Sequence, residues 1–527
     1  MNTKLISLLL IVFLAVSLMS ACQSTPTAPA VPTAVQPSPI PPTKEPAAAE
    51  DTTSTSVLEA CDVAEQSLAM RAGQMPVFET LGIDTCYDLT FELAEDGSAY
   101  QGAARITYTN QEEAPLEEFV LRTYPNAEAL FGGRLTVDSA VLDGQALSMT
   151  PMLTDGSALR LALDTPLAAG QTAVLGLTFS GEVPEFSTDG FLYGTYTLSS
   201  QYPLVVLANS YPALAPRLNG DWQAQEILPQ GDPPINETAL YRVEIVLPQN
   251  WKVSATGVEI ESSQKNGQAV TRFASGPVRE FHWAASPAWT LQTLESDGVR
   301  INQWGFSDTS PAWDEALTVA RDSLATYDEF FGPYPFNELD ILAVPLYLAS
   351  GVEYPGVILI KDSLYFSEEQ PRMLPTVIAH EVAHQWWFSV IGSDVLAEPW
   401  QDEALTTYSA LLYMWEHNRP FYYGTVSAYE ERIKLIEDDL GWQAVGQPVS
   451  AFVGATSVAY SPIVYRKGAL FFEALREELG DETFYQALQA YYQSNRYQLV
   501  PPEVLLGAFE QACQCQLDDL FADWGVP

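Results

Sequence analysis

Two histidines four positions apart give this sequence its clearest chemical signal. His380 and His384 enclose Glu381 in an otherwise apolar stretch, and Glu403 follows after 18 intervening residues. Side chains four residues apart project from the same face of a helix, one turn from each other. Both imidazoles can therefore bind one metal ion, with the glutamate between them close enough to act as a general base. The spacing predicts a metal site whose protein ligands are His380, His384 and Glu403.

Two imidazoles and one carboxylate form the ligand set of a catalytic zinc site, because three protein ligands leave one tetrahedral position for water. We expect one Zn²⁺ per chain, which lowers the pKa of that water and polarises a substrate carbonyl. Glu381 would take the water proton and pass it to the leaving amine. The alternative is an exposed helix with solvated histidines. Against it, Trp386 and Trp387 follow the motif, and a helix this apolar is expected to be buried.

Length and charge limit the classes of protein to consider. The 527 residues, 47% of them hydrophobic, exceed one ordinary domain and predict at least two. Lys and Arg number 24 against 67 Asp and Glu, which gives a formal net charge of −43. Such a chain repels phosphate backbones, so a nucleic-acid partner is not expected. The acidic balance by itself does not identify a substrate.

The N-terminal residues have the pattern of an export signal. Lys4 precedes an apolar run over residues 5–18, and small residues lead to Cys22. The run suits a signal peptide and is too short to span a bilayer comfortably. The end of residues 1–22 resembles a bacterial lipobox. This predicts export and a membrane anchor on lipidated Cys22, and an unused lipobox would give a secreted protein.

Residues 23–56, rich in Pro, Thr, Ala and Ser, predict a disordered linker. No later apolar stretch is long enough for a transmembrane helix, so the lipid anchor is the only membrane contact expected.

The cysteines after the export signal form an even set, which favours disulfides in an exported chain. The preferred arrangement pairs Cys61 with Cys86, and Cys513 with Cys515. The other possible pairings of these four cysteines stay open. The cysteines are not needed as metal ligands, because the histidines and the glutamate already complete a site.

The periodicity of apolar residues changes near residue 290. Across residues 57–289, short alternating stretches are separated by turn signals, which predicts a largely antiparallel β domain of the sandwich type. Across residues 290–527, a few short strands give way to long helical patterns, which predicts an α+β domain with the histidine helix at its centre. The remaining histidines, His282 and His417, are assigned to structure rather than to the site.

Several segments together resemble one known family. The two zinc motifs are similar to those of the aminopeptidase N and leukotriene hydrolase superfamily, the gluzincin aminopeptidases. Further matches cover the loop that enters the catalytic domain, the Gly-x-Met-Glu-Asn exopeptidase motif and the segment with the catalytic tyrosine. These matches lie at residues 380–386, 400–404, 330–336, 350–356 and 459–468.

The resemblance implies a saddle-like β domain followed by a thermolysin-like zinc metallopeptidase domain that acts on peptides. It makes the Tyr465 hydroxyl the donor that stabilises the oxyanion opposite the metal. It also makes Glu353, with Gly351 in the same motif, the substrate-binding element that holds the free α-amine of a peptide. The chain would be a short, bacterial lipoprotein-type member without the additional C-terminal helical domain.

The leading function is release of N-terminal residues from peptides. A zinc endopeptidase on the same scaffold and a catalytically inactive peptide-binding lipoprotein are the alternatives. The sequence departs from the family at Val352 and Tyr354, where Met and Asn are usual. It departs again at residues 209–217, which stand where the family carries a second acidic anchor for the amine. That glutamate has no counterpart in the segment.

Overall fold

A computed structural model gives the fold of the chain from residue 63 onwards. The residues it leaves undescribed are 1–62, 84, 189–192, 201, 219, 233–234, 307–311 and 369–370. The predicted export signal, the linker and Cys61 therefore lie outside the described residues. Among the described helices, none combines the length and the apolar composition that a membrane crossing requires.

Up to residue 289 the described chain is dominated by β structure. Helix α1 (Met75–Phe78) precedes the first strand. The strands are β1 (Thr85–Leu93), β2 (Ala99–Thr109), β3 (Leu116–Arg122), β4 (Arg134–Leu142), β5 (Gln145–Ala146), β6 (Met149–Pro151), β7 (Ala158–Leu167), β8 (Thr172–Glu182), β9 (Tyr196–Ser199), β10 (Leu204–Leu207), β11 (Ala213–Leu214), β12 (Arg217–Leu218), β13 (Asp221–Trp222), β14 (Ala239–Pro248), β15 (Lys252–Ala255), β16 (Val258–Lys265), β17 (Gln268–Val278) and β18 (Trp283–Ser286).

One long sheet, two four-stranded sheets and the two-stranded sheet β12-β13 organise these strands. The long sheet has the order β16-β17-β14-β1-β2-β8-β4-β5, and the four-stranded ones are β15-β18-β10-β9 and β11-β3-β7-β6. Strands β1 and β14 run parallel, whereas neighbours such as β1 and β2, β14 and β17, and β2 and β8 are antiparallel. The prediction of a largely antiparallel β region is confirmed.

Aromatic side chains pack the long sheet against both four-stranded sheets. Phe91 of β1 contacts Trp283 of β18 with ring centroids 5.4 Å apart, and Tyr108 of β2 contacts Phe119 of β3 at 5.5 Å. Buried positions alternate with exposed ones at the end of β1 and with half-buried ones along β14, as expected when one face of a strand meets a core and the other is more accessible to solvent. The β region is thus built from layered sheets.

From residue 290 a mixed five-stranded sheet is followed by helices. The sheet has the order β19-β20-β21-β23-β22. Its strands are β19 (Thr290–Ser296), β20 (Val299–Gly305), β21 (Glu338–Val344), β22 (Gly351–Tyr354) and β23 (Val357–Lys361). The helices are α2 (Ala312–Phe330), α3 (Met373–Trp387), α4 (Pro399–His417), α5 (Arg419–Leu440), α6 (Gly468–Leu479), α7 (Asp481–Asn495), α8 (Pro502–Cys513) and α9 (Asp518–Trp524). The predicted α+β character of this region is confirmed.

Arg279, just past the end of β17, joins the β region to the helical region. Its guanidinium donates to the backbone carbonyls of Phe388 (2.8 Å) and Gln498 (2.6 Å). A Cβ atom on Gly392 would lie 2.3 Å from the guanidinium carbon, so glycine is required for this close approach. The two regions share one hydrophobic core. The domain boundary at residue 290 coincides with the start of the five-stranded sheet and otherwise stays a prediction.

The structure contains the predicted disulfide between Cys513, the last residue of α8, and Cys515. The predicted partner of Cys86 is Cys61, which is not described, so that pairing stays a prediction.

Candidate active site

Helices α3 and α4 position the predicted metal ligands. His380 and His384 lie on α3, and Glu403 lies in the second turn of α4, which begins at Pro399. Proline suits the first turn of a helix because its missing N–H needs no partner there. The indole N–H of Trp387 donates to Ser409 Oγ at 3.0 Å and ties the end of α3 to α4. Both helices are largely buried.

The three ligand side chains converge on one point. The Nε2 atoms of His380 and His384 are 3.2 Å apart, and Glu403 Oε2 lies 3.2 Å from the first and 3.7 Å from the second. Zinc bonds to nitrogen and oxygen are about 2.0 to 2.2 Å long, so two ligand atoms in a tetrahedral site lie roughly 3.3 to 3.6 Å apart. The observed separations fit that arrangement.

Asp402 fixes the orientation of His384. Its Oδ1 lies 2.7 Å from Nδ1 of the imidazole, and both side chains are 1% exposed. A carboxylate can only accept, so the proton is on Nδ1 and Nε2 keeps a lone pair for a metal. The sequence interpretation missed this residue, although it directly precedes Glu403.

Glu381 lies on α3 with its carboxyl group against β22. A Cβ atom on Gly351 would lie 2.3 Å from Glu381 Oε1, so the absence of a side chain at Gly351 makes room for the carboxyl group. Glu381 is 4% exposed, and its Oε2 has no hydrogen-bond partner among the described residues. Burial, together with the neighbouring carboxyl group of Glu403, raises the pKa of Glu381 well above its usual range.

Gln385 holds β22 beside the metal ligands. Its amide donates to the Tyr354 carbonyl at 2.9 Å and accepts from the Gly356 N–H at 2.8 Å. This pair of bonds places Glu353 in the site, where its Oε2 lies 4.0 Å from His384 Nε2. The carboxyl group is within reach of the ligands without a direct hydrogen bond to them.

Tyr465 also reaches the ligand cluster, from a π-helical segment, Ser461–Lys467, that leads into α6. Wider turns of this kind are frequent at functional sites. The Tyr465 hydroxyl donates to Glu403 Oε1 at 2.7 Å. It therefore holds the carboxylate oxygen that faces away from the histidines.

The donor set and its charge both suit a divalent cation. Glu403 Oε2 is buried without a hydrogen-bond partner among the described residues, as expected for an atom that binds a metal. A second group of possible ligand atoms, from Glu353, Glu381 and His384, shares one histidine with the first. The first group is the better zinc site, because it supplies two imidazoles and the observed tetrahedral spacing. Its surroundings, rich in carboxyl groups, favour a cation in either group.

Two acidic residues of the β region come close to this cluster and were not predicted. The carboxyl group of Asp232 lies beside that of Glu403, and burial together with this neighbour raises the pKa of Asp232 well above its usual range. Glu280 lines the same cavity as Asp232 and Glu353. Neither residue has a local sequence signal, because each lies far along the chain from the zinc motifs and only the fold brings it there.

The other two histidines lie apart from the metal ligands. His417 ends α4, and its Nε2 lies 3.0 Å from the Thr326 hydroxyl. His282 is buried and stacks on Tyr354 with ring centroids 4.3 Å apart. Burial lowers the pKa of His282 to about 3, so its imidazole is neutral at ordinary pH.

Comparison with known sequences identifies the helical region. Residues 315–524 match the model of the peptidase family M1 domain. The chain is similar to Aminopeptidase M1-A of Oryza sativa subsp. japonica, with 23% identity over 477 residues that cover 88% of this chain and 52% of that protein. It is also similar to Aminopeptidase M1 of Arabidopsis thaliana, with 23% identity over 373 residues that cover 67% of this chain and 40% of that protein. The chain spans about half the length of these relatives or less.

Solved structures show the same fold. The M1 zinc metallopeptidase from Deinococcus radiodurans aligns with a TM-score of 0.62 and 20% identity, covering 85% of this chain and 94% of that one. A mutant of that enzyme bound to a Tyr-Ser-Ala substrate aligns with a TM-score of 0.62 and 19% identity, covering 84% and 94%. The resemblance carried by the zinc motifs is confirmed by these matches. Residues 315–524, which contain both zinc motifs, thus match a peptidase family M1 domain, in agreement with the resemblance of those motifs to the gluzincin aminopeptidase superfamily.

Proposed function

We propose that this protein is a zinc-dependent aminopeptidase that releases N-terminal residues from peptides. The convergence of His380, His384 and Glu403, with Glu381 and Glu353 against them, carries the proposal. The ligand set provides the metal site, the buried glutamate of α3 provides a base, and the acid of β22 provides a partner for a peptide amine. The chain spans only about half the length of the relatives it matches, or less. The proposed activity is therefore argued from the arrangement of these side chains and not from the relatives.

Each side chain has a distinct task in this proposal. Bound zinc supplies a Lewis acid that activates water and polarises the scissile carbonyl. Glu381 accepts a proton from the attacking water and returns it to the leaving amine. Asp402 keeps the His384 proton on Nδ1 throughout.

Tyr465 is positioned to assist the transition state. Its hydroxyl donates to Glu403 Oε1 and its ring stacks on His380 with centroids 5.9 Å apart. A rotation of the hydroxyl away from Glu403 would let it donate to the oxyanion that forms on the substrate carbonyl. The contact with Glu403 therefore keeps the donor within the site before substrate binds.

Glu353 would bind the α-amine of the substrate. Its carboxyl group is 5% exposed and lies at the edge of the ligand cluster, so a charged amine there gains a charge-assisted hydrogen bond. This contact fixes cleavage one residue from the free end. An endopeptidase would not need it, and the two activities differ in their response to a blocked amine.

We also propose that the chain is exported and anchored by a lipid on Cys22. The apolar run after Lys4 and the small residues before the cysteine support this placement. The active site would then lie on the outer side of a membrane, with residues 23–56 as a tether.

Asp402→Asn should weaken zinc binding by roughly 10- to 100-fold, because the amide no longer fixes the proton of His384 on Nδ1. Isothermal titration with Zn²⁺ into the apoprotein measures the change. Asp438→Asn, at an exposed acid on α5, serves as the control and should bind zinc like the unmodified protein. Equal zinc affinity in all three proteins would contradict the orienting role of Asp402.

Glu381→Gln should retain zinc and fold while turnover falls by about 10² to 10⁴, since the amide is nearly isosteric and cannot accept the proton. Metal content by atomic absorption and hydrolysis of aminoacyl anilides measure the two properties separately. A zinc-loaded variant with near-normal turnover would show that another group is the base. A zinc-loaded unmodified protein without turnover would favour the inactive peptide-binding alternative.

Glu353→Gln should remove the preference for a free amine. In the unmodified protein we expect free-amine peptides to exceed their N-acetylated forms by roughly 10- to 150-fold in kcat/KM, the value of one charge-assisted hydrogen bond. The ratio should fall toward one in the variant. Mass spectrometry of the products on matched peptides measures it. If the unmodified protein cleaves both forms equally well, the endopeptidase alternative replaces the aminopeptidase.

Cys22→Ser should release the protein from membranes, because a serine cannot carry the thioether-linked lipid. In an expressing bacterium, the unmodified chain should sediment with the membrane fraction and incorporate labelled palmitate. The variant should do neither. Labelled palmitate in the variant, or an unmodified chain found only in the soluble fraction, would rule out the anchor.

A further inference from the structure

The π-helical segment that carries Tyr465 ends at a lysine that is almost completely buried. Lys467 is 5% exposed, although lysine side chains are rarely buried without a partner. Removing an ammonium group from water costs free energy that close polar contacts must offset. Because this lysine lies two residues after Tyr465, the contacts that hold it also act on the position of the tyrosine.

Helix α5 and the residues just after it bind the Lys467 ammonium group. It donates to Glu437 Oε1 and to the Gln443 carbonyl, each at 2.6 Å. The ring of Trp442 covers it, with the ring centroid 4.7 Å from Nζ, and the face of an indole attracts a cation. Glu437 Oε1 also accepts from the Gln443 N–H at 3.3 Å. One short stretch of chain therefore provides all these contacts.

The end of the segment also meets α4, close to the metal ligand Glu403. A Cβ atom on Gly468 would lie 2.3 Å from the Cβ of Ala404, so the absence of a side chain at Gly468 allows this approach. π-Helical turns are rare, and rarely adopted backbone persists where the surrounding structure holds it. The contact of Gly468 with α4 and the contacts of Lys467 with α5 hold this segment from two sides.

We propose that Lys467, bound by Glu437, is a positioning residue that keeps the Tyr465 hydroxyl at the metal site. The inference rests on the proposed aminopeptidase function, in which this hydroxyl donates to the oxyanion. With Lys467 bound, the hydroxyl stays where it donates to Glu403 Oε1 at 2.7 Å. Without that contact the end of the segment shifts, and a misplacement of about 1 Å costs up to roughly 10²-fold in rate.

Lys467→Met tests the inference, because methionine keeps an unbranched apolar side chain and removes the ammonium group. The zinc-loaded variant should lose roughly 10- to 100-fold in kcat for an aminoacyl anilide, with KM within about twofold, since the hydroxyl acts in the transition state. Lys434→Met is the matched control, because Lys434 forms an exposed ion pair with Asp438 on the same helix. The control should keep both constants.

A double-mutant cycle separates positioning from a general structural effect. Tyr465→Phe has no hydroxyl to position, so the addition of Lys467→Met should lower its kcat by less than about twofold. An equal loss from Lys467→Met in both backgrounds would overturn the inference and leave the aminopeptidase in place. Unchanged kcat in the single Lys467→Met variant would do the same.

Variants of Glu437 give a second test that leaves the lysine unchanged. Glu437→Leu removes the acceptor and should reproduce the loss in kcat, whereas Glu437→Gln keeps an acceptor and should stay within about threefold of the unmodified protein. Equal kcat in these two variants would contradict the role of Glu437. If Lys467→Met does not fold, Glu437→Leu replaces it in the cycle with Tyr465→Phe.

Hydrogen exchange measured by mass spectrometry tests the contact without turnover. The backbone amides of residues 461–468 should exchange roughly 10-fold or more faster in Lys467→Met than in the unmodified protein or in Lys434→Met, as the loss of one charge-assisted hydrogen bond predicts. Faster exchange in a protein that hydrolyses no anilide would support the holding of this segment by Lys467 and refute the peptidase. Unchanged exchange in Lys467→Met would refute the positioning role.

Discussion

The concentration of buried carboxyl groups around two imidazoles is the constraint on which the rest of the structure depends. The carboxyl groups belong to Asp232, Glu353, Glu381, Asp402 and Glu403, and burial raises the pKa of each of them. Like charges that are removed from water destabilise the fold unless a cation offsets them. Zn²⁺ provides two positive charges at this point and would lower those pKa values again. Metal binding and stability of the site are therefore coupled.

The scaffold around the ligands leaves little freedom to relieve this charge by moving apart. The Tyr327 hydroxyl donates to the Ala379 carbonyl at 2.8 Å, and the Trp386 indole donates to the Gly332 carbonyl at 2.7 Å. These bonds join α3 to α2 and to the loop after it. The side chain of Gln385 joins α3 to β22 in the same way, through its hydrogen bonds to backbone groups of Tyr354 and Gly356. Side chains that lie beside the catalytic residues in sequence thus hold the helix rigidly, which preorganises the ligands and the base.

The sequence predicts the parts of the site that are local and leaves out the parts that the fold assembles. The helical spacing of His380 and His384 is a local property, and this spacing alone is enough to indicate a metal site. The orienting role of Asp402 is less visible, because an acid next to a ligand in a helix projects about 100° away from it. Asp232 and Glu280 enter the site from a distant part of the chain, and no periodicity marks them.

For the β region, the sequence predicts that the chain forms strands, and it predicts only part of the order in which the strands pair. Alternating apolar residues identify strands such as β14, and they show which face meets a core. The pairing of β1 with β14 in parallel requires a crossover of more than a hundred residues, which local patterns cannot indicate. The segment at residues 209–217, which lacks the second acidic anchor in sequence, still contributes to the site. Asn209 donates to Glu280, and Glu280 lines the same cavity as Glu353.

Arg279 and Glu280 show how one short connection both joins the two regions of the chain and lines the site. They follow each other between β17 and β18, yet Arg279 bonds to carbonyls of the helical region and Glu280 lines the cavity. Because Arg279 is fixed by several carbonyls, the backbone at Glu280 is fixed as well. Its carboxyl group is then held against the cavity at little further cost in conformational entropy. The contact that joins the two regions of the chain therefore also positions a carboxyl group of the β region beside the site.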